Sequence, residues 1–380
     1  MEKLKPNIIR CMIATAFICL ASLTHAQTYN ADIASYLNKV EHPYSFLQRI
    51  DQLGVKMSGT AALDSTCNWL AKICKTEGYS VNIQKFLYGT DTLRNVEIVK
   101  KGSSDSCIII GAHYDSWVGP GVNDNGSGDY AMYQIAKWIK PLQTKYTIRF
   151  IFFSGEEISY LGSKHYVQTL NKDSVKIKFM VNFDQLGGTA GESNMAVKCE
   201  RDEKTLLRDK SSELASFLAT CFSLYTNLTP VISPAYNSDY LSFRDSGYLI
   251  TGVYQHSGFP YYHTSADVLS NMEFTSLHAI AKGAMASVLY WSEANVPVAD
   301  LREPHIKRNI SVYTTHGGLS VINAEDHICS IYNATGKLVL LTTLHSNSVE
   351  MDVSNLGAGI FFAYLSSGDQ VIVKKFFNYP

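Results

Sequence analysis

Imidazole and carboxylate side chains recur in five short segments of this chain: GAHYDS (Gly111 to Ser116), GVNDNGSG (Gly121 to Gly128), SGEE (Ser154 to Glu157), VNFDQLG (Val181 to Gly187) and YYHTSAD (Tyr261 to Asp267). Together they offer His113, Asp124, Glu156, Glu157, Asp184 and His263. Zinc takes imidazole nitrogen and carboxylate oxygen, and two zinc ions about 3.5 to 4 Å apart need a carboxylate able to bridge them. Five ligands with one shared give each ion three protein contacts and leave room for water. That water needs a base, which must be a carboxylate free of the metals. The six residues fill these roles with none left over. Singly, each segment has a plainer reading. A lone His is more often satisfied in a core or on a surface, Glu156-Glu157 suits a helix start where the dipole favours acids, and Asn125-Gly126 is a turn. All the plain readings would have to hold at once, in this order.

Such groups need strand ends to hold them. Cys107 to Ile110, Thr147 to Phe153, Lys178 to Phe183 and Tyr248 to Tyr254 are near-continuous apolar runs rich in β-branched and aromatic residues. Helical stretches are expected over 30–75 (interrupted at Met57 to Thr60), Gly128 to Lys140, Tyr160 to Leu170, Leu206 to Phe222 and Phe274 to Asn295. Val81 to Leu87 and Asn95 to Lys100 read as further strands. Apolar strands alternating with helices indicate an α/β fold, a mostly parallel, doubly wound sheet covered on both faces. In such a sheet ligands gather beyond the carboxyl ends of the strands, where His113, Asp115, the Glu pair, Asp184 and His263 fall. Trp69, Trp138 and Trp291 sit at helical positions as core residues.

The alternation stops near Asn295. Pro297 and Pro304 bracket a charged linker, and from Ile310 short strands alternate with Gly and Asn turns such as Asn333 to Gly336 and Ser366 to Asp369. That pattern predicts a small antiparallel β-sandwich over 310–380. At the other end, Lys3, Lys5 and Arg10 precede an apolar stretch from Cys11 to Leu23, and Thr24-His25-Ala26 offers a cleavage site. This reads as a cleaved signal peptide over 1–26, too short for the roughly 20 apolar residues of a membrane anchor. The expected organisation is therefore signal peptide 1–26, catalytic domain 27–296, linker 297–309 and sandwich 310–380. A net charge of −1 gives no reason to expect nucleic acid or a membrane surface as partner. The apolar fraction of 46% supports a sizeable core. Of the six cysteines beyond the signal, Cys67 and Cys74 lie about 10 Å apart along a helix and cannot pair. Most read as buried small hydrophobes, and Cys199 with Cys221 is the first pair to examine for a disulfide.

From about Tyr44 to Asn295 the chain resembles the secreted di-zinc aminopeptidases, the exopeptidase family that includes aminopeptidase Y-like and glutamate carboxypeptidase-like enzymes. The resemblance rests on the five segments above. It implies two Zn2+ ions bridged by Asp124, with His113 and Glu157 completing one site and Asp184 and His263 the other. It further implies Glu156 as general base, Asp115 as the carboxylate orienting its neighbourhood, and a cis peptide after the bridging Asp, here Asp124-Asn125. Ser238-Asp239 is similar to the family's Ser-Asp-His stretch, with Tyr240 in place of the His. Asp239 and Tyr236 are the substrate-binding candidates, Tyr236 as a hydrogen-bond donor to the tetrahedral intermediate. Tyr225, Tyr236, Phe259, Tyr261 and Tyr262 predict an aromatic-lined pocket for apolar N-terminal residues.

Residues 310–380 resemble the type IX secretion sorting domain of Bacteroidetes, through Ile331 to Lys337, Val353 to Phe361 and the terminal strand with Lys374-Lys375. That implies secretion machinery as a partner and a second export step across the outer membrane. The expected protein is a secreted or cell-surface, monomeric metallo-aminopeptidase acting on peptides, without stable membrane insertion. The alternatives are a glutaminyl cyclase-like, single-zinc acyltransferase of the same fold, and a non-catalytic binding protein on it. Presence of His113 together with the complete Asp124 loop favours hydrolysis.

Overall fold

The computed structural model describes residues 28–170, 175–192, 194–298 and, with short gaps, 310–378. Residues 1–27, which hold the expected signal peptide, Cys11 and Cys19, lie outside the described residues, as do 299–309 of the expected linker. The chain divides into two compact units, Met1–Val298 and Ala299–Pro380.

The first unit has one eight-stranded sheet: β1 (Val81–Tyr88), β2 (Asp91–Lys100), β3 (Ser104–His113), β4 (Tyr146–Phe153), β5 (Lys176–Phe183), β6 (Ala196–Arg201), β7 (Thr229–Pro234) and β8 (Ile250–Gln255). Its lateral order is β1-β2-β4-β3-β5-β8-β6-β7. The central strands β4-β3-β5-β8, the four apolar runs of the sequence, are parallel. The helices are α1 (Ala31–Tyr36), α2 (Tyr44–Leu53), α3 (Ala61–Thr76), α4 (Gly126–Ile139), α5 (Leu161–Thr169), α6 (Arg208–Tyr225), α7 (Tyr240–Asp245) and α8 (Phe274–Trp291). Strands β6 and β7 escape the sequence reading because they are only half-buried and carry no continuous apolar run.

Alternation along the strands explains why they must be apolar throughout. Ile108 and Ile110 of β3 and Phe150 and Phe152 of β4 join the core formed with α3, α4, α6 and α8. The intervening Ile109, Ile151 and Phe153 join a second cluster with Tyr166 and Val167 of α5 and Phe243 of α7. Successive side chains point to opposite faces, and both faces are covered. Each such fully buried side chain contributes about 1.5–3 kcal/mol. Trp69, Trp138 and Trp291 pack against the first core, half-buried. Cys67, Cys74, Cys107, Cys199, Cys221 and Cys329 are all buried, and the disulfide considered for Cys199 and Cys221 is not formed.

The second unit contains β9 (Ser311–Thr315), β10 (Gly318–Ile322), β11 (Ile328–Asn333), β12 (Leu338–Thr343), β13 (Ser348–Asp352), β14 (Gly359–Ser367) and β15 (Gln370–Asn378). They form two sheets, β13-β10-β9 and β12-β11-β14-β15, in which neighbours are antiparallel. Leu319 and Val321 of one sheet share a buried cluster with Ile331, Ala363 and Leu365 of the other, the packing of a sandwich. Gly336, Gly368 and Asp369, read as turn residues, lie outside the described residues.

Candidate metal centre

His113 is the last residue of β3, Glu156 and Glu157 follow β4, and Asp184 follows β5 directly. Asp124 lies just before α4, joined to Asn125 by a cis peptide bond. His263 lies eight residues beyond β8, in the left-handed region at φ 56°. Asp124 stands between two imidazoles. Its Oδ1 is 3.3 Å from His113 Nε2 and its Oδ2 is 3.4 Å from His263 Nε2. Asp184 Oδ1 lies 3.7 Å from His113 Nε2, and Glu157 Oε2 lies 2.9 Å from His263 Nε2. Two triads result, His113–Asp124–Asp184 and Asp124–Glu157–His263, each with its donor atoms within 4.8 Å of one another. Each offers one imidazole and two carboxylates around a point that could hold a divalent cation. Glu156 belongs to neither triad, and its Oε2 is 3.9 Å from His113 Nε2.

The surroundings hold these groups by backbone and side-chain hydrogen bonds. Asp115 Oδ1 and Oδ2 accept from the backbone N–H groups of Glu156 and Glu157, both at 3.2 Å, which fixes the turn after β4. Asp267 accepts from the N–H groups of Asn123 (2.7 Å) and Asp124 (2.9 Å). Gln185 Nε2 donates to Asp124 Oδ2 at 3.1 Å, and Ser238 Oγ donates to Asp184 Oδ2 at 2.6 Å. Asn125 caps α4, accepting from Gly128 N–H and Gln185 N–H while its amide donates to the Phe183 carbonyl.

Electrostatically the site is short of positive charge. Burial opposes charging His113, but Glu156, Asp115, Asp124 and Asp184 outweigh it and hold the imidazole well above its ordinary value. Burial also pushes Asp124 up, yet His113 and His263 prevail and keep it below the usual carboxylate range. Glu156 is raised well above its ordinary value by burial, reinforced by Asp184, Asp239 and Asp115 against the pull of His113. Glu157 is pushed up to about 9, by burial first and then by Asp124. Glu157 Oε1 and Asp184 Oδ1 are buried and receive no hydrogen bond from the protein. Divalent cations would satisfy both the charge and the orphaned oxygens.

Residues 95–288, just over half of the chain, match the profile of Peptidase family M28. The chain belongs to peptidase family M28. Residues 307–378 of this M28 peptidase match a secretion system C-terminal sorting domain, which indicates secretion or a surface location. An aminopeptidase of Pseudomonas aeruginosa is 28% identical over 233 residues, covering 56% of this chain and 43% of that protein. The chain thus spans less than half the length of that curated relative. BSAP, a zinc aminopeptidase from Bacillus subtilis, superposes with a TM-score of 0.60 at 17% identity, covering 66% of this chain and 94% of its own. The glutaminyl cyclase of Porphyromonas gingivalis does so with a TM-score of 0.57 at 19% identity, covering 69% and 99%. At these identities the two structures establish the shared fold alone.

The M28 peptidase brings the five expected ligands together but pairs them differently from the sequence expectation. Glu157 was expected beside His113 and Asp184 beside His263; the structure places Asp184 with His113 and Glu157 with His263. The strands β4 and β5 both flank β3. Asp184 follows β5 directly and lies beside His113, whereas Glu157 comes four residues after the end of β4 and meets His263 instead. The longer segment after β8 is drawn over the Asp124 loop by Asp267. Asp239 is fully buried, whereas Tyr236 is 68% exposed on the segment before α7. The expected aromatic pocket is also revised. Tyr225 stacks on Tyr29 and bonds to Tyr290, and Phe259 is buried. Trp117, which the sequence reading passed over, is 41% exposed with its ring 6.1 Å from His263, whose other neighbour Tyr262 stacks at 3.7 Å. Asp267 and Gln185 were also passed over, and Ser238, named beside Asp239, was given no role of its own. Their signal is adjacency, since each lies within one of the quoted motifs or next to a candidate.

Gly128 makes the Asn125 cap possible. A Cβ there would lie 2.4 Å from both Asn125 Oδ1 and the Phe183 carbonyl oxygen. Gly128→Ala is expected to cost about 1–3 kcal/mol through this overlap, read as a lower urea midpoint at unchanged m. An unaltered midpoint would mean that the Asp124 loop is not packed this way.

Proposed function

We propose that this chain is a secreted metallo-aminopeptidase that removes N-terminal residues from peptides, using two Zn2+ ions and Glu156 as general base. The observation that carries the reading is a pair of donor triads sharing Asp124, with a buried glutamate beside them that neither triad uses. His113, Asp124 and Asp184 would hold one ion, and Asp124, Glu157 and His263 the other. When bound, the ions supply Lewis-acid polarisation of the scissile carbonyl and acidify water. Glu156 takes a proton from the attacking water and passes it to the leaving amine. Asp115 orients Glu156 through the two backbone bonds it accepts. Tyr236 offers its hydroxyl to the oxygen of the tetrahedral intermediate.

Residues 1–26 serve as the export signal to the periplasm, and 27–296 form the catalytic domain. The linker 297–309 joins it to the module 310–380, which directs export across the outer membrane. The enzyme acts as a monomer. The deciding experiment combines elemental analysis with turnover of aminoacyl-arylamides by the full chain. Two zinc ions with turnover support the reading. One zinc without turnover, accompanied by cyclisation of N-terminal Gln, would replace it with the acyltransferase.

Trp117 and Tyr262 are the exposed aromatic surfaces beside His263 and form the wall for the substrate's side chain. Trp117→Ala is expected to raise KM for leucyl- and phenylalanyl-arylamides about tenfold, while the alanyl substrate changes little. A uniform change across the substrate panel would remove Trp117 from the pocket.

A further inference from the structure

Outside the two triads, Glu200 in β6 is a buried acid, at 2% exposure, that no part of the proposed reaction uses. Its cross-strand partner in β8 is Gly252. That pairing is sterically specific. A Cβ on Gly252 would lie 2.6 Å from Glu200 Oε2 and 2.8 Å from Tyr240 Cε1, so β8 is hollowed at the one position where the two side chains meet. Tyr240, 1% exposed at the start of α7, brings its ring to the same point beside the Glu200 carboxyl, and its phenol counters the effect of burial on that carboxyl. Its hydroxyl also accepts the backbone N–H of Tyr236. One phenol oxygen therefore links the floor of the sheet to the segment that carries Tyr236 outward and Ser238 inward onto Asp184. Burial pushes the Glu200 carboxyl up to about 8 against the opposing pull of Tyr240.

We infer that Glu200 and Tyr240 are positioning residues that brace the Tyr236–Asp239 segment and so set the Tyr236 hydroxyl against the substrate. The catalytic part of the inference rests on the aminopeptidase reading above; the brace itself does not. A phenol braced from below by a buried carboxyl loses its register when the link is cut, and misplacement of a polar group by about 1 Å costs about 100-fold in rate.

The test uses the full chain with Tyr236→Phe, Tyr240→Phe and the double variant, each checked for metal content. Glu200→Gln, which keeps the shape and alters only Tyr240's partner, enters the same cycle in case Tyr240→Phe does not fold. Amide hydrogen exchange over residues 233–240 should accelerate at least about tenfold in Tyr240→Phe or Glu200→Gln, with the rest of the sheet unchanged. Each Tyr single variant should lower kcat about 100-fold at little-changed KM, and the double variant should be no worse than either, because both remove the same contribution. Unchanged exchange would overturn the brace. Single effects that multiply to about 10⁴-fold in the double variant would overturn action through Tyr236, as would a fully active Tyr236→Phe. A wild-type chain without arylamide turnover would sink the aminopeptidase reading alone, and the exchange measurement would still decide the brace.

Discussion

Glu156→Gln lowers kcat on aminoacyl-arylamides by about 10³-fold or more, while the protein keeps its metal content and unfolding midpoint. The expectation follows from where Glu156 stands. It is 3.9 Å from His113 Nε2 yet a donor to neither triad, so an amide in its place removes no ligand. The backbone bonds that Asp115 accepts from the Glu156 and Glu157 N–H groups do not involve the Glu156 side chain and survive the substitution. What disappears is the capacity to accept a proton, because an amide is not a base at any working pH. Elemental analysis and steady-state kinetics on one preparation check it. Loss of metal together with activity would assign Glu156 to ligation instead, and retained turnover would end its role as base.

Stripping divalent cations with a chelator abolishes turnover and lowers the unfolding midpoint by about 10 °C, and both return on adding zinc. The magnitude follows from linkage: an ion at about a thousand times its dissociation constant stabilises the folded state by about 4 kcal/mol, and a chain of this size moves a few degrees per kcal/mol. The structural reason is the crowd of buried carboxylates with only two imidazoles among them. The pH dependence has a definite sign. Glu157 rises from an ordinary 4.5 to about 9 in the folded protein without metal. A raised folded value means the metal-free fold binds the proton more tightly than the unfolded chain does. That stability is complete below about pH 4.5 and is lost as pH climbs towards 9. The chelated protein should therefore melt lower at pH 8 than at pH 6, and zinc should raise the midpoint more at pH 8. Differential scanning calorimetry at the two pH values is the check. A chelator-insensitive midpoint would mean that no cation holds the triads together.

The six cysteines among the described residues, all buried and none in a disulfide, also bear on where stability comes from. The first unit draws it from a large two-faced core rather than from cross-links, consistent with its size. The second unit is smaller and has one core shared by two sheets.

Much of the site was legible because the local code is strong. An apolar run that ends in His, Glu-Glu or Asp marks both a buried strand and the chemistry at its carboxyl end. Thus His113, Glu156, Glu157 and Asp184 could be placed at the head of the sheet from sequence alone. The four central strands, the helices between them and the change to an antiparallel sandwich after Asn295 were legible for the same reason: side-chain periodicity is a property of consecutive residues. Lateral neighbourhood is not. Sheet order sets β4 and β5 on either side of β3, and which of their carboxylates joins His113, Asp184 rather than Glu157, is decided by the turns beyond the strands. The crossing of His263 to Glu157 depends on a carboxylate, Asp267, capturing two amides 143 and 144 residues away. The brace of Glu200 and Tyr240 required β6 and β8 to be paired with Gly252 opposite the acid. Sequence by itself determined which residues carry the chemistry and on which elements they sit, since those follow from local hydrophobic pattern and residue type. Only the tertiary structure decided which of them meet, because strand pairing and long-range hydrogen bonds act between residues that the chain keeps far apart.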